Sequence, residues 1–115
     1  MPKNLSKDVE VTDDEVLKIL TALGDSVRFE IFRRVAEHPG VSASELKSGK
    51  SASTVSHHVK VLVDARLLTV ARDGRRLRYR LNSGVVESFA RWAAAVSEHA
   101  TFDHLSKYLQ DTTSD

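Results

Sequence analysis

The chain has 115 residues, a formal net charge of +1, 41% hydrophobic and 29% charged residues, a composition ordinary for one globular domain. It has no cysteine, which excludes disulfides, thiolate metal sites and thiol redox chemistry. Its apolar runs are too short to span a membrane and no charged-then-apolar leader opens it, so the expectation is a cytoplasmic protein.

Residues 1–11 are polar and without a period, an irregular arm ahead of a domain spanning residues 12–109. Thr12-Asp13-Asp14-Glu15 has the spacing of a capping box, with Val11 and Val16 placed as a hydrophobic staple. Val16, Leu17, Leu20 and Leu23 then form an apolar stripe that Gly24 ends. Asp25 is placed to cap a second helix carrying Val27, Ile31, Phe32 and Val35, and His38-Pro39-Gly40 stops it. A second capping box, Ser42 to Glu45, predicts a short third helix closed by Ser48-Gly49.

Ser51 caps the fourth helix, which runs to about Ala65. At 100° per residue, Val55, His58, Val59, Leu62 and Val63 fall on one arc. Ser53, Ser56, His57 and Lys60 fall on the other, and Thr54 borders it. Gly49-Lys50-Ser51 also matches the end of a phosphate-binding loop. The glycine that such a loop needs five residues earlier is Ser44, and where it needs a buried strand residues 41–48 carry helix-start chemistry. A short helix, a glycine turn and an amphipathic helix with a small polar outer face form a helix-turn-helix.

In residues 67–81, LLTVARDGRRLRYRL, Asp73-Gly74 is a two-residue hairpin signal suited to a type I′ turn. Leu77, Tyr79 and Leu81 then alternate with Arg76, Arg78 and Arg80, so the hairpin carries a cationic outer side. Asn82 or Ser83 caps a last helix bearing Val85, Phe89, Trp92 and Val96, with a kink or restart expected near Ala100-Thr101. The tail, residues 110–115, is expected to fray. The fold class is mainly α with a two-stranded antiparallel β wing, in the order α-α-α-α-β-β-α: a winged helix-turn-helix.

Charge follows the same division. Residues 50–80 carry eight Lys/Arg against Asp64 and Asp73, leaving +6, while the remainder carries nine against fourteen, leaving −5. A basic segment in an acidic body is the electrostatic footprint of a nucleic-acid-binding face.

Three segments, in this order, resemble motifs of the ArsR-type family of bacterial winged-helix repressors, whose members include metalloregulators. ALGDSVRFEIF is similar to that family's entry into its second helix, SASTVSHHVKVLVDARLL to its recognition segment, and RDGRRLRYRL to its wing. The match covers about residues 14–100. Ser26 replaces a proline of the family pattern, Arg66 a glycine, and the third helix is about two residues shorter. The family's two soft-metal cysteines correspond to Ser42 and Ser44, whose hydroxyls are poor ligands for soft metals. Its zinc ligands correspond to Ser83, Val85, Val96 and His99, one suitable type in four. Metal sensing is therefore not carried over and no cofactor is expected. His99, Asp103 and His104 remain candidates for a non-standard site across a dimer.

The resemblance implies a homodimer built on the first and last helices, through Val16, Leu17, Leu20, Val85, Phe89, Trp92 and Val96. It also implies double-stranded DNA as partner and an inverted-repeat operator read by two recognition helices about 34–36 Å apart. Ser53 and Thr54 are placed for base edges or a thymine methyl, and His57 for guanine N7 or O6. Ser56 and Lys60 suit phosphates, as do Lys50 and Ser51 at the helix start. His58 points inward and packs. Arg75 and Arg76 suit a narrow minor groove, and Arg72, Arg78 and Arg80 the DNA backbone. Repression would follow from excluding polymerase; the effector is unspecified. A protein-interaction module using the basic hairpin against an acidic partner stands as the alternative. No arrangement of residues argues for an enzyme.

Overall fold

The protein is described by a computed structural model covering residues 10–113, without the side chains at 100–104, 108 and 111–113. Its elements run α1 (Asp13–Leu23), α2 (Ser26–Glu37), β1 (Val41–Ser42), a 3-10 turn (Ser44–Leu46), α3 (Ala52–Asp64), β2 (Leu68–Asp73), β3 (Arg76–Leu81) and α4 (Ser83–Thr113).

The helix starts form where side chains satisfy otherwise unpaired N–H groups. At α1 both bonds of the capping box are made: the Glu15 N–H donates to Thr12 Oγ1 (3.1 Å) and the Thr12 N–H to Glu15 Oε1 (2.8 Å). Asp25 Oδ2 accepts from the N–H groups of Val27 (3.0 Å) and Arg28 (3.1 Å) at α2. Ser51 Oγ accepts from the Thr54 N–H (3.1 Å) at α3. Asn82 is the cap of α4, its Oδ1 accepting from Val85 N–H (3.5 Å). α4 runs unbroken through Ala100-Thr101, so the helix does not restart there.

Ile19, Ala22, Ile31, Val35, Leu46, Val55, Val59, Leu62, Leu67, Leu68 and Tyr79 form the buried cluster. α1, α2, the 3-10 turn, α3, β2 and β3 all contribute to it, Val85, Val86 and Phe89 of α4 pack against it, and α3 is held by Val55, Val59 and Leu62 while its opposite face stays in solvent. Among the described residues no helix is long and apolar enough to cross a membrane.

Two expectations are corrected. The expected third α-helix is one 3-10 turn, and the sheet has three strands, in the order β1-β3-β2, rather than two. Val41 pairs with Tyr79 and Ser42 with Arg78, so the start of the segment belongs to the sheet. Its end turns at Ser48 (φ 46°) and Gly49 (φ 81°). Too few residues remain between them for an α-helix. Only the N–H of Ser42 uses the expected box, donating to Glu45 Oε1 (2.8 Å); the Ser42 hydroxyl also donates to that oxygen (3.0 Å) instead of capping.

The wing turn is corrected as well. Asp73 faces Arg76 across the ladder, so the two loop residues are Gly74 and Arg75. Gly74 has φ +65° and Arg75 is not left-handed, which excludes type I′ and fits type II′. Glycine takes the one position where a Cβ is penalised, and the arginine avoids it.

Three carboxyls sit below their ordinary values. The Thr12 N–H lowers Glu15, the Arg28 N–H lowers Asp25, and the Ser42 N–H lowers Glu45. A lowered folded-state value stabilises the fold above the unfolded value, and that stability is lost as pH falls through the folded one. The melting temperature is therefore expected to fall as pH drops below about 4.3, the ordinary glutamate value and the upper of the unfolded ones. Circular dichroism melts should show a shallower fall in Asp25→Asn and Glu45→Gln; parallel slopes in variants and wild type would reject these caps as the origin.

Candidate nucleic-acid interface

The outer face of α3 is built by the same periodicity that buries its inner face. Ser51, Ser53, Thr54, Ser56, His57 and Lys60 are all exposed, and Lys50 is half-buried in the preceding turn. The hydroxyls at the helix start are linked: Ser51 Oγ donates to Thr54 Oγ1 (2.8 Å) and lies 3.2 Å from Ser53 Oγ. Short side chains there let a helix approach closely a surface that it must enter. Lys60 pairs with Asp64 at 3.0 Å, with both side chains mostly in solvent. Such a pair is worth little and gives way to a stronger anion.

On the wing, Arg72, Arg75, Arg76 and Arg80 are exposed. Arg78 differs from its neighbours: its Nε donates to Asp73 Oδ2 (2.9 Å) and its Nη1 to the Gly40 carbonyl (3.0 Å). It is half-buried and ties β3 to the loop ahead of β1. The expected role in contacting a DNA backbone therefore competes with two intramolecular bonds.

Two arginines on α2 were missed as positioning groups. Arg34 donates to Ser48 Oγ and to the Glu45 carbonyl (3.0 Å), bracing the turn that leads into α3. Arg28 Nε donates to the Ala22 carbonyl (2.8 Å) at the end of α1, while its Nη1 meets His58 Nδ1 on α3 (3.2 Å). Arg28 stands within the quoted ALGDSVRFEIF motif, which was the available signal; its partner 30 residues away was not readable from spacing.

Among the residues expected at a dimer interface, Leu17 is 61% exposed, Leu20 46% and Val96 50%. Val85 and Phe89 are half-buried against the core, and Trp92 stacks on Phe89 with ring centroids 5.9 Å apart. Val16 is 3% exposed in the single chain and has little surface left to offer a partner. At the positions of the family's soft-metal cysteines, Ser42 and Ser44 hydroxyls lie 3.1 Å apart beside Glu45. Among the described residues no group of three or more His, Asp or Glu could hold a metal ion. The side chains of Asp103 and His104 lie outside the described residues, so their pairing with His99 does too.

The sequence and fold both have relatives. A helix-turn-helix domain family model matches residues 23–71. The HTH-type transcriptional regulator KmtR of Mycobacterium tuberculosis is 33% identical over 93 residues, covering 76% of this chain and 71% of the relative. The arsenical resistance operon repressor of Staphylococcus aureus is 35% identical over 74 residues, covering 64% of this chain and 71% of the relative. An ArsR-like transcriptional regulator from Rhodococcus sp. RHA1 superposes with a TM-score of 0.71 at 24% identity, over 87% of this chain and 93% of that one. The homodimeric winged helix-turn-helix DNA-binding domain of a possible ArsR-family regulator from Mycobacterium bovis gives 0.60 at 23%, over 79% and 92%. The exposed face of α3 beside a basic wing is the DNA-binding architecture of a winged helix-turn-helix regulator. The chain belongs to the ArsR-type family of transcriptional regulators, which is not a family of enzymes.

Proposed function

We propose that this protein is a homodimeric, sequence-specific repressor that binds an inverted-repeat operator. In each half-site α3 enters the major groove and the wing reaches the flanking minor groove. The observation that carries this function is the α3 face itself. It is a continuous exposed surface of hydroxyls, His57 and Lys60, held rigidly from behind by three buried aliphatic residues and set beside four exposed wing arginines.

Ser53, Thr54 and His57 read base edges; Lys50, Ser51, Ser56 and Lys60 hold phosphates. Arg75 and Arg76, at the wing tip, enter the minor groove, and Arg72 and Arg80 hold the backbone. His57→Ala is expected to relax preference at one base position per half-site, at a cost of about 1–3 kcal/mol of discrimination. Selection from a random-sequence duplex library by wild type and variant checks it. Equal losses on selected and random DNA would assign His57 to phosphate instead. A salt-insensitive protein that ignored duplex DNA but bound an acidic polypeptide would favour an interaction module.

The dimer is supported by Leu17, Leu20 and Val96, large apolar groups left in solvent, on the two helices at either end of the domain, residues 12–109. A relative's fold is homodimeric. Because Leu17 and Leu20 are exposed, Leu17→Asp with Leu20→Asp is expected to leave the melting temperature of the monomer fold within a few degrees while abolishing the dimer. Sedimentation velocity distinguishes a single monomer boundary from the unchanged dimer that would relocate the interface. The chain's departures at the family's metal positions, with Ser42 and Ser44 for thiolates, support release of DNA by an effector other than a soft metal.

A further inference from the structure

His58 lies between two groups that ask opposite things of the same nitrogen. An arginine guanidinium only donates hydrogen bonds, so the contact from Arg28 Nη1 at 3.2 Å requires Nδ1 to be bare and to accept. The Asp25 carboxylate only accepts, and its Oδ2 lies 3.9 Å from the same Nδ1. At that distance the two make no hydrogen bond, and they form an ion pair only when the ring is protonated. At 16% exposure the His58 side chain is largely enclosed, so it has few other partners to choose. The shorter contact is to Arg28, and a guanidinium donor at that distance suits an Nδ1 that accepts, with the ring proton on Nε2.

Both partners sit at junctions. Arg28 Nε and Nη2 donate to the carbonyls of Ala22 (2.8 Å) and Thr21 (3.4 Å), the last turn of α1. Asp25 is the N-cap of α2, accepting the Val27 and Arg28 N–H groups. His58 is on α3, and its ring meets that of His57 edge-on at 5.4 Å. A single guanidinium thus connects the end of α1, which carries exposed Leu17 and Leu20, to the inner face of the helix whose outer face carries His57. Among the described residues, the charged and titratable groups facing His58 are Asp25 at the cap of α2, Arg28 from α2 and His57 from α3 itself.

We propose that Arg28, His58 and Asp25 form a proton-sensitive tie that positions α3, and that protonation of His58 at Nδ1 weakens sequence-specific DNA binding. With Nδ1 bare, Arg28 locks α3 to the carbonyl end of α1. A proton taken from solvent onto Nδ1 removes the acceptor and places an imidazolium against the guanidinium. The ring then turns to donate to Asp25. Arg28 loses its hold on α3, and the recognition helix shifts relative to α1. His58 and Arg28 are positioning residues that act through the placement of His57 and the α3 face. This regulation rests on the DNA-binding function proposed above.

The sign separates it from ordinary histidine electrostatics. Positive charge added to the groove face, opposite a polyanion, strengthens binding. The tie acts the other way. The test uses the full chain and a duplex that the wild-type protein enriches from a random-sequence library at pH 7.5. Binding is measured by fluorescence anisotropy from pH 7.5 to 5.5 for wild type and His58→Asn. Asparagine keeps an acceptor near the Nδ1 position and does not titrate. Wild-type affinity is expected to fall at least about fivefold relative to His58→Asn across this range, a difference of roughly 1 kcal/mol. Nitrogen NMR of the free wild-type protein reads the tie without any variant. At pH 7.5 the spectra should show a bare Nδ1 and an Nε2–H. Parallel pH profiles in wild type and His58→Asn, or a proton on Nδ1 at pH 7.5, would overturn the tie while leaving DNA binding intact. Failure of the wild type to enrich any sequence at pH 7.5 would instead remove the DNA-binding function, and this regulation with it.

Discussion

Leu62→Ala is expected to destabilise the fold by about 2–5 kcal/mol. Leu62 is fully buried in the last turn of α3, within the cluster that joins α1, α2 and the wing. Truncation removes hydration-driven burial and leaves a cavity whose walls belong to several elements, so relaxation is limited. In a domain of this size the midpoint of thermal unfolding should drop by roughly 10 °C or more. Urea unfolding measures the effect directly. A loss below about 0.5 kcal/mol, the scale of an ordinary surface change, would mean that α3 is not anchored through Leu62.

The second large effect falls on binding. Arg75→Ala with Arg76→Ala removes two exposed cations from the wing tip and leaves the Arg78 bonds to Asp73 and Gly40 in place. Affinity should fall on every DNA sequence. The slope of log K against log salt should become shallower by about 0.9 for each phosphate charge no longer neutralised. Titrations at several salt concentrations read both quantities. Unchanged slope with reduced affinity would place these arginines away from the phosphates. Arg78→Ala behaves differently: it loosens β1 and the Gly40 loop and registers in stability as well as in binding.

These contrasting expectations for neighbouring arginines show where the sequence is legible and where it is not. Thr12, Asp25 and Ser51 declare their helix starts because capping is local chemistry, decided within three residues. The two faces of α3 and the alternation of Leu77, Tyr79 and Leu81 with arginines follow from backbone periodicity alone. A two-residue strand has no period, so β1 could not be read; its identity comes from Tyr79 and Arg78, nearly forty residues away. The turn at Gly74 was found, but its register was not, because Asp73-Gly74 and Gly74-Arg75 both supply a glycine to a two-residue loop. Long-range pairing also separates Arg78 from Arg76 and gives His58 its two competing partners. Val16 lay on the stripe beside Leu17 and Leu20, yet one turn of geometry sends it inward and leaves them in solvent.

In the function proposed above, the α3 face reads DNA sequence without a bound metal. The most direct measurement is fluorescence anisotropy of the chelator-treated protein on a duplex from upstream of its own gene, against a scrambled duplex at fixed near-physiological salt. A preference of about a thousandfold or more is the expected result. Equal, weak binding to both duplexes, persisting on sequences selected from a random library, would contradict it.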